Sequence, residues 1–71
     1  MNLYRIWQEV NDGYDAYDSA IVCAKDEEEA RNIEVGSSNS WTSPEYVKVE
    51  KIGKANKGIE KGIILASFNA G

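Results

Sequence analysis

Two short segments of this chain are apolar on both faces of an extended strand, and they restrict the folds open to it. Ser19 to Ala24 and Ile63 to Phe68 lack the alternation of apolar and polar residues that marks a half-exposed strand. Short runs of this kind are typical of strands inside a sheet. We therefore expect a β-sheet in which both segments are central strands.

Two further segments complete the predicted sheet. Leu3–Val10 is rich in β-branched and aromatic residues, and the Asp-Gly pair that follows it is a strong turn signal, so it forms a hairpin with the 19–24 strand. Tyr46–Ile52 alternates, with Val47 and Val49 on one face and charged residues on the other. The stretch from 53 to 62 is rich in glycine and lysine and predicts a loop before the last strand.

One helix is predicted between the second and third strands. Asp26 is a good N-cap, and Glu29 stands three residues later, where the partner in a capping box belongs. The helix should cover Glu27–Glu34, and its apolar face, Ala30 with Ile33, needs the sheet beneath it. The order β-β-α-β-β predicts an α+β fold, a small and largely antiparallel sheet with one short helix packed on a face.

The size and composition of the chain narrow the classes of function. With 71 residues it is expected to be a single domain spanning 1–71 with a small core. Its lone cysteine, Cys23, excludes an internal disulfide, and the absence of histidine removes the commonest general base and metal ligand. Met1 to Arg5 does not resemble the start of an export signal, which favours a cytoplasmic location in the host cell. We expect no enzymatic activity, no cofactor and no metal.

The net charge of -4 conceals an uneven distribution. Residues 1–46 hold ten acids and three bases, whereas residues 47–71 hold two acids and five lysines. The acidic balance argues against a nucleic-acid partner, because contacts to phosphate dominate such affinity. The apolar runs are too short to cross a bilayer, so no membrane partner is expected.

Motifs for catalysis and metal binding fail on spacing. Asp12, Asp15 and Asp18 are three residues apart, which does not match the ligand positions of an EF-hand loop. Cys23 stands mid-strand among apolar neighbours, which is typical of a buried core residue. The lysine-rich loop precedes a strand, whereas a P-loop leads into a helix.

Aromatic residues beside acids mark the predicted partner-binding site. It consists of Tyr14, Asp15, Tyr17 and Asp18. Tyrosine offers a large amphipathic contact area at low entropic cost, and the carboxylates complement a basic surface. A structural role for the two tyrosines, stacked on neighbouring strands, is an equally good interpretation.

A second hypothesis is that the chain is a homo-oligomer that sequesters a small molecule or nucleotide. Exposed sheet edges and a small core favour self-association. The anionic ligand would lie between subunits, near Trp41, Lys54, Lys57 and Lys61.

Several stretches together resemble a family of small uncharacterised phage and prophage proteins. They are Leu3–Ile6 (LYRI), Asn11–Val22 (NDGYDAYDSAIV), Glu27–Ile33 (EEEARNI), Trp41 with Pro44, and Ala66–Gly71 (ASFNAG). The resemblance implies an origin in a mobile element and brings no activity or site residue with it. Members often carry His-Pro after the helix, where this chain has Glu34-Val35, so no role for that histidine is carried over.

The leading hypothesis from the sequence is a non-enzymatic phage accessory protein that acts by protein–protein interaction. Its partner would be a host or phage protein, and inhibition of a host defence or nucleic-acid-handling protein would place the acidic surface against a basic cleft.

Overall fold

The structure, a computed structural model, describes residues 1–9, 16–36 and 41–69. It contains four strands, one α-helix and one 3-10 turn, and so confirms the predicted α+β class. The elements are β1 (Asn2–Trp7), β2 (Ala16–Ala24), α1 (Glu27–Arg31), the 3-10 turn (Pro44–Tyr46), β3 (Lys48–Lys54) and β4 (Gly62–Asn69).

The four strands form one antiparallel sheet in the order β3-β1-β2-β4. The predicted pairing of the first two strands is confirmed, with a register that runs from Asn2 opposite Ala24 to Trp7 opposite Ser19. β2 is a central strand, as expected. β4 is not: it lies at the edge and pairs only with β2 among the described strands. The prediction of a second central strand there is wrong for a single chain, because β3 pairs with β1 and not with β4.

The ends of the strands differ from the prediction by a few residues. β1 ends at Trp7 rather than at Val10, which lies outside the described residues together with the predicted turn that follows. β3 begins at Lys48 because Pro44 starts a 3-10 turn that holds Tyr46. Val47 is buried and Val49 half-buried, whereas Lys48 and Glu50 are exposed, so the predicted alternation is confirmed over residues 47–50; it does not continue to Ile52, which is exposed like Lys51 before it.

The helix begins where the sequence predicts and ends early. Asp26 Oδ1 accepts a hydrogen bond from the N–H of Glu29 at 2.8 Å, which confirms the N-cap. The Glu29 carboxylate accepts from the N–H of Lys25 at 3.1 Å, one residue before the predicted partner. The predicted end at Glu34 is wrong. The N–H of Asn32 still donates to the carbonyl of Glu28 at 3.2 Å, as in a helix, but the N–H of Ile33 donates to the carbonyl of Ala30, three residues back instead of four, at 3.2 Å, and the helix ends there.

The core lies on one side of the sheet, between the strands and α1. Alternate residues of β1 and β2 point to this side, as the period of two in a strand requires. Val35, after the helix, and Trp41 and Val47, before β3, add buried side chains to the core. The buried members of the core are Tyr4, Ile6, Ala20, Val22, Ala24, Ala30, Val35, Trp41 and Val47.

A buried amide joins three parts of this fold. Gln8 is 7% exposed, and its Nε2 donates to the carbonyl of Tyr17 at 2.7 Å. Its Oε1 accepts from the N–H of Thr42, also at 2.7 Å. One side chain therefore holds the end of β1 to β2 and to the segment that returns from the helix.

We expect Gln8→Leu to lower the free energy of unfolding by about 2–4 kcal/mol, because the N–H of Thr42 and the carbonyl of Tyr17 lose their partner in a part-buried place. Asn32→Ala is the control, since it removes an exposed amide and should cost below about 1 kcal/mol. Urea denaturation of both variants measures the difference. Equal losses in the two variants would show that Gln8 has no special structural role.

Candidate functional site

The predicted partner-binding residues are described only in part. Tyr14 and Asp15 lie outside the described residues. Tyr17 is half-buried and packs against the core, and Asp18 is exposed on β2 at an irregularity in its pairing with β4. The packing of Tyr17 fits the structural interpretation of this residue, and its role in binding a partner stays a prediction.

The alternative ligand site is not assembled within one chain. Lys54 lies opposite Asn2 at one end of β1, whereas the residue after Trp41 is held by Gln8 just beyond the other end. Six residues of strand separate these ends, about 20 Å. Lys57 and Lys61 are exposed in the segment that joins β3 to β4. These lysines meet Trp41 only if a second copy brings them together.

Trp41 itself is a core residue that also lines a small cleft. The cleft has a volume of about 250 Å³ and lies between the C-terminal end of α1 and residues 41–44. Trp41 is 5% exposed, and its Nε1 has no hydrogen-bond partner in the part of the chain that the structure describes. Because this atom is itself buried, a ligand in the cleft reaches it only by displacing the wall. The cleft is therefore a weak candidate for the binding site.

The strongest candidate for a binding surface is the edge strand β4, which the sequence predicts to be a central strand. Ile63, Ile64 and Leu65, consecutive residues of β4, are 43%, 50% and 67% exposed. The strand Gly62–Asn69 contains no charged residue. We call Ile63, Ile64 and Leu65 the β4 edge surface. A long, uncharged, aliphatic edge presents unpaired backbone groups to any chain that can add a strand.

The opposite edge of the sheet has the reverse character. β3 exposes four charged side chains, three of them lysines. Charges on an edge strand, lysine above all, discourage pairing with another chain. The sheet thus has one protected and one unprotected edge. The charged residues of β3 are Lys48, Glu50, Lys51 and Lys54.

The outer face of the sheet, opposite α1, shows the same gradient of polarity. In its middle row Glu50 lies opposite Arg5, Arg5 opposite Ile21, and Ile21 opposite Leu65. The Arg5 guanidinium lies 4.3 Å from the centre of the Trp7 ring, a cation–π contact that keeps a charge on the β3 side. In this row the apolar residues therefore lie on the side of β2 and β4.

Cys23 lies on this outer face and is fully buried, as the sequence predicts. Its Sγ is 3.5 Å from the sulfur of Met1 and 3.9 Å from the carbonyl oxygen of Ile59, so the chain start and the β3–β4 connection cover it. Among the described residues, no group of three or more acidic or cysteine side chains is placed to hold a metal ion. No helix in the described ranges has the length and apolarity to cross a membrane.

If Trp41 belongs to the core, Trp41→Ala should lower the free energy of unfolding by about 3–5 kcal/mol. Trp41→Phe should cost far less, below about 1.5 kcal/mol, because it keeps most of the ring and removes a buried N–H that has no partner among the described residues. Thermal and urea denaturation measure both. Near wild-type stability of Trp41→Ala would move Trp41 from the core to the list of binding residues.

No protein-family model, curated protein or solved structure matches this chain.

Proposed function

We propose that this chain is a non-catalytic protein-interaction domain and that the β4 edge surface is where it binds. The observation that carries the proposal is the run of three exposed aliphatic residues on an edge strand without a charge. Exposed apolar clusters of this kind are characteristic of interaction sites, because leaving them in water is unfavourable.

The chemistry of binding is the addition of a strand. Backbone N–H and C=O groups on the free side of β4 pair with an extended segment of the partner, which supplies affinity independent of side chains. Leu65 packs on the outer face and Ile63 on the face that carries α1, so the added strand is recognised by aliphatic side chains on both faces.

The predicted acidic and aromatic residues that the structure describes lie on β2, on the other side of β4 from its free edge. The backbone of Tyr17 lies opposite that of Phe68, near the end of β4, and Asp18 is exposed next to it. A partner strand on the free edge of β4 would be separated from these two residues by β4 itself, so the proposed contact does not depend on them.

An accessory role in a phage or prophage is part of the proposal and is supported by the sequence resemblance alone. A host defence or nucleic-acid-handling protein as the target is also part of the proposal, and it is supported by the acidic balance of residues 1–46, which would complement a basic cleft.

The second candidate function is the sequestration of an anionic metabolite or nucleotide between subunits. It needs Lys54, Lys57 and Lys61 of one copy to face Trp41 of another. If it is correct, a nucleotide at 100 times its dissociation constant stabilises the fold by about 2.7 kcal/mol. We expect no rise in the melting temperature with ATP or ADP, measured beside the variant Lys57→Ala. A nucleotide-dependent rise that this variant abolishes would favour the second candidate.

Site-specific photo-crosslinking in bacterial cells tests the proposed function. A photo-crosslinking residue at Ser67, exposed on β4, should give discrete protein adducts, whereas the same probe at Lys51, exposed on β3, should not. Leu65→Lys, added to the chain with the Ser67 probe, should abolish the adducts, because it places a charge on the contact strand. Adducts of equal yield from both edges, or none from Ser67, would overturn the proposal.

A further inference from the structure

We infer that the strand added to β4 is β4 of a second copy of this chain, in antiparallel orientation about a two-fold axis. The result is a single sheet of eight strands, in the order β3-β1-β2-β4-β4-β2-β1-β3. The inference rests on the proposed function, since it uses the same surface, and it goes further by naming the occupant.

The β4 strand of a second copy has the length and composition that a partner for this edge needs. A partner for this edge must be a strand of similar length, uncharged and aliphatic on both faces. β4 has eight residues, about 27 Å of strand, and meets each requirement. In an antiparallel pair about a two-fold axis, each unpaired donor or acceptor of one strand faces its complement on the other.

The charge distribution of the chain favours contact through β4. The chain carries a net charge of -4, so two copies repel each other over most of their surfaces at neutral pH. Contact through β4 brings no charged strand residue against its counterpart. Pairing of β3 with itself would bring lysines close to lysines, which is unfavourable across a strand pair.

Pairing of β4 with β4 also gives an assembly of fixed size. Pairing β4 of one copy with β3 of the next leaves one edge of each kind free, so the assembly grows without end. Pairing β4 with β4 leaves only β3 at the two ends, and β3 is the edge that its charges protect. The two-fold dimer is thus the one strand-paired arrangement that consumes the unprotected edge and stops.

The dimer also accounts for the sequence pattern of β4. Residues 63 to 68 are apolar on both faces, as in a central strand, yet a single chain places them at an edge. In the dimer β4 is central.

The test measures the mass of the purified full chain in solution by sedimentation equilibrium over a range of concentrations. We expect a concentration-dependent transition from 7.9 kDa to twice that mass. Ile64→Lys should weaken the dimer at least ~100-fold, because the substitution enters a two-fold interface twice.

Ile52→Lys is the matched control, since Ile52 lies on β3 and is 49% exposed, against 50% for Ile64. The control should dimerise as the wild type does. Circular dichroism checks that both variants are folded. A chain that stays monomeric at all concentrations, or that loses its dimer equally with both substitutions or with neither, overturns the inference, as does an open-ended assembly.

Amide hydrogen exchange and the effect of salt concentration on dimerisation show which surface forms the dimer. Backbone amides on the free side of β4 should be protected in the dimer and lose protection on dilution, while those of β3 exchange throughout. Raising NaCl from about 0.05 M to about 0.5 M should tighten the dimer, since it screens the repulsion between acidic copies. Unprotected β4 amides in a dimer, or a dimer that salt weakens, contradict the inference.

The outcomes separate the two proposals. If the purified chain is a monomer and the Ser67 probe captures a different protein, the inference about the occupant fails and the proposed function stands. If the chain is a monomer and Ser67 captures nothing, both fail. Adducts with the mass of two chains, abolished by Ile64→Lys, support the dimer and the use of the β4 edge surface for binding.

Discussion

The fold depends on a small number of residues that cover one face of the sheet. A helix of five residues and the segment that holds Trp41 and Val47 must cover the inward side chains of β1 and β2, with Val49 of β3 and Ala66 of β4 partly buried beside them. Their main anchors are hydrogen bonds to the backbone. Gln8 holds the N–H of Thr42, and Arg31 donates to the carbonyl of Val47 at 2.7 Å. These two bonds fix the returning segment over the core.

A chain of this size has enough residues to cover only one face of its sheet. Most of the outer face and both edges remain in contact with solvent. The two edges of the sheet differ in the side chains that they expose. Charged residues protect β3 and its neighbourhood, including the Arg5 side chain stacked on Trp7. β4 has no such protection, and its exposed aliphatic residues are the feature from which both proposals follow.

Local features were predictable from the sequence, and the site was not. The N-cap at Asp26 and the alternation around Val47 depend on near neighbours, so they were identified correctly. The end of α1 was missed because the N–H of Ile33 donates three residues back, to the carbonyl of Ala30, and nothing in the apolar spacing indicates that change of hydrogen bonding. The candidate site was missed because an apolar run that faces a partner and one that faces the core have the same composition.

The sequence by itself determined which segments are strands, where the helix begins and that the molecule is a small acidic α+β domain. Each of these follows from side-chain period, capping and charge within a few residues. Only the tertiary structure decided the strand order, because pairing joins residues far apart, such as Ile21 with Leu65. That order leaves an uncharged aliphatic strand at an edge. The apolar character of β4 was legible in the sequence, and its exposure came from the arrangement of the other three strands.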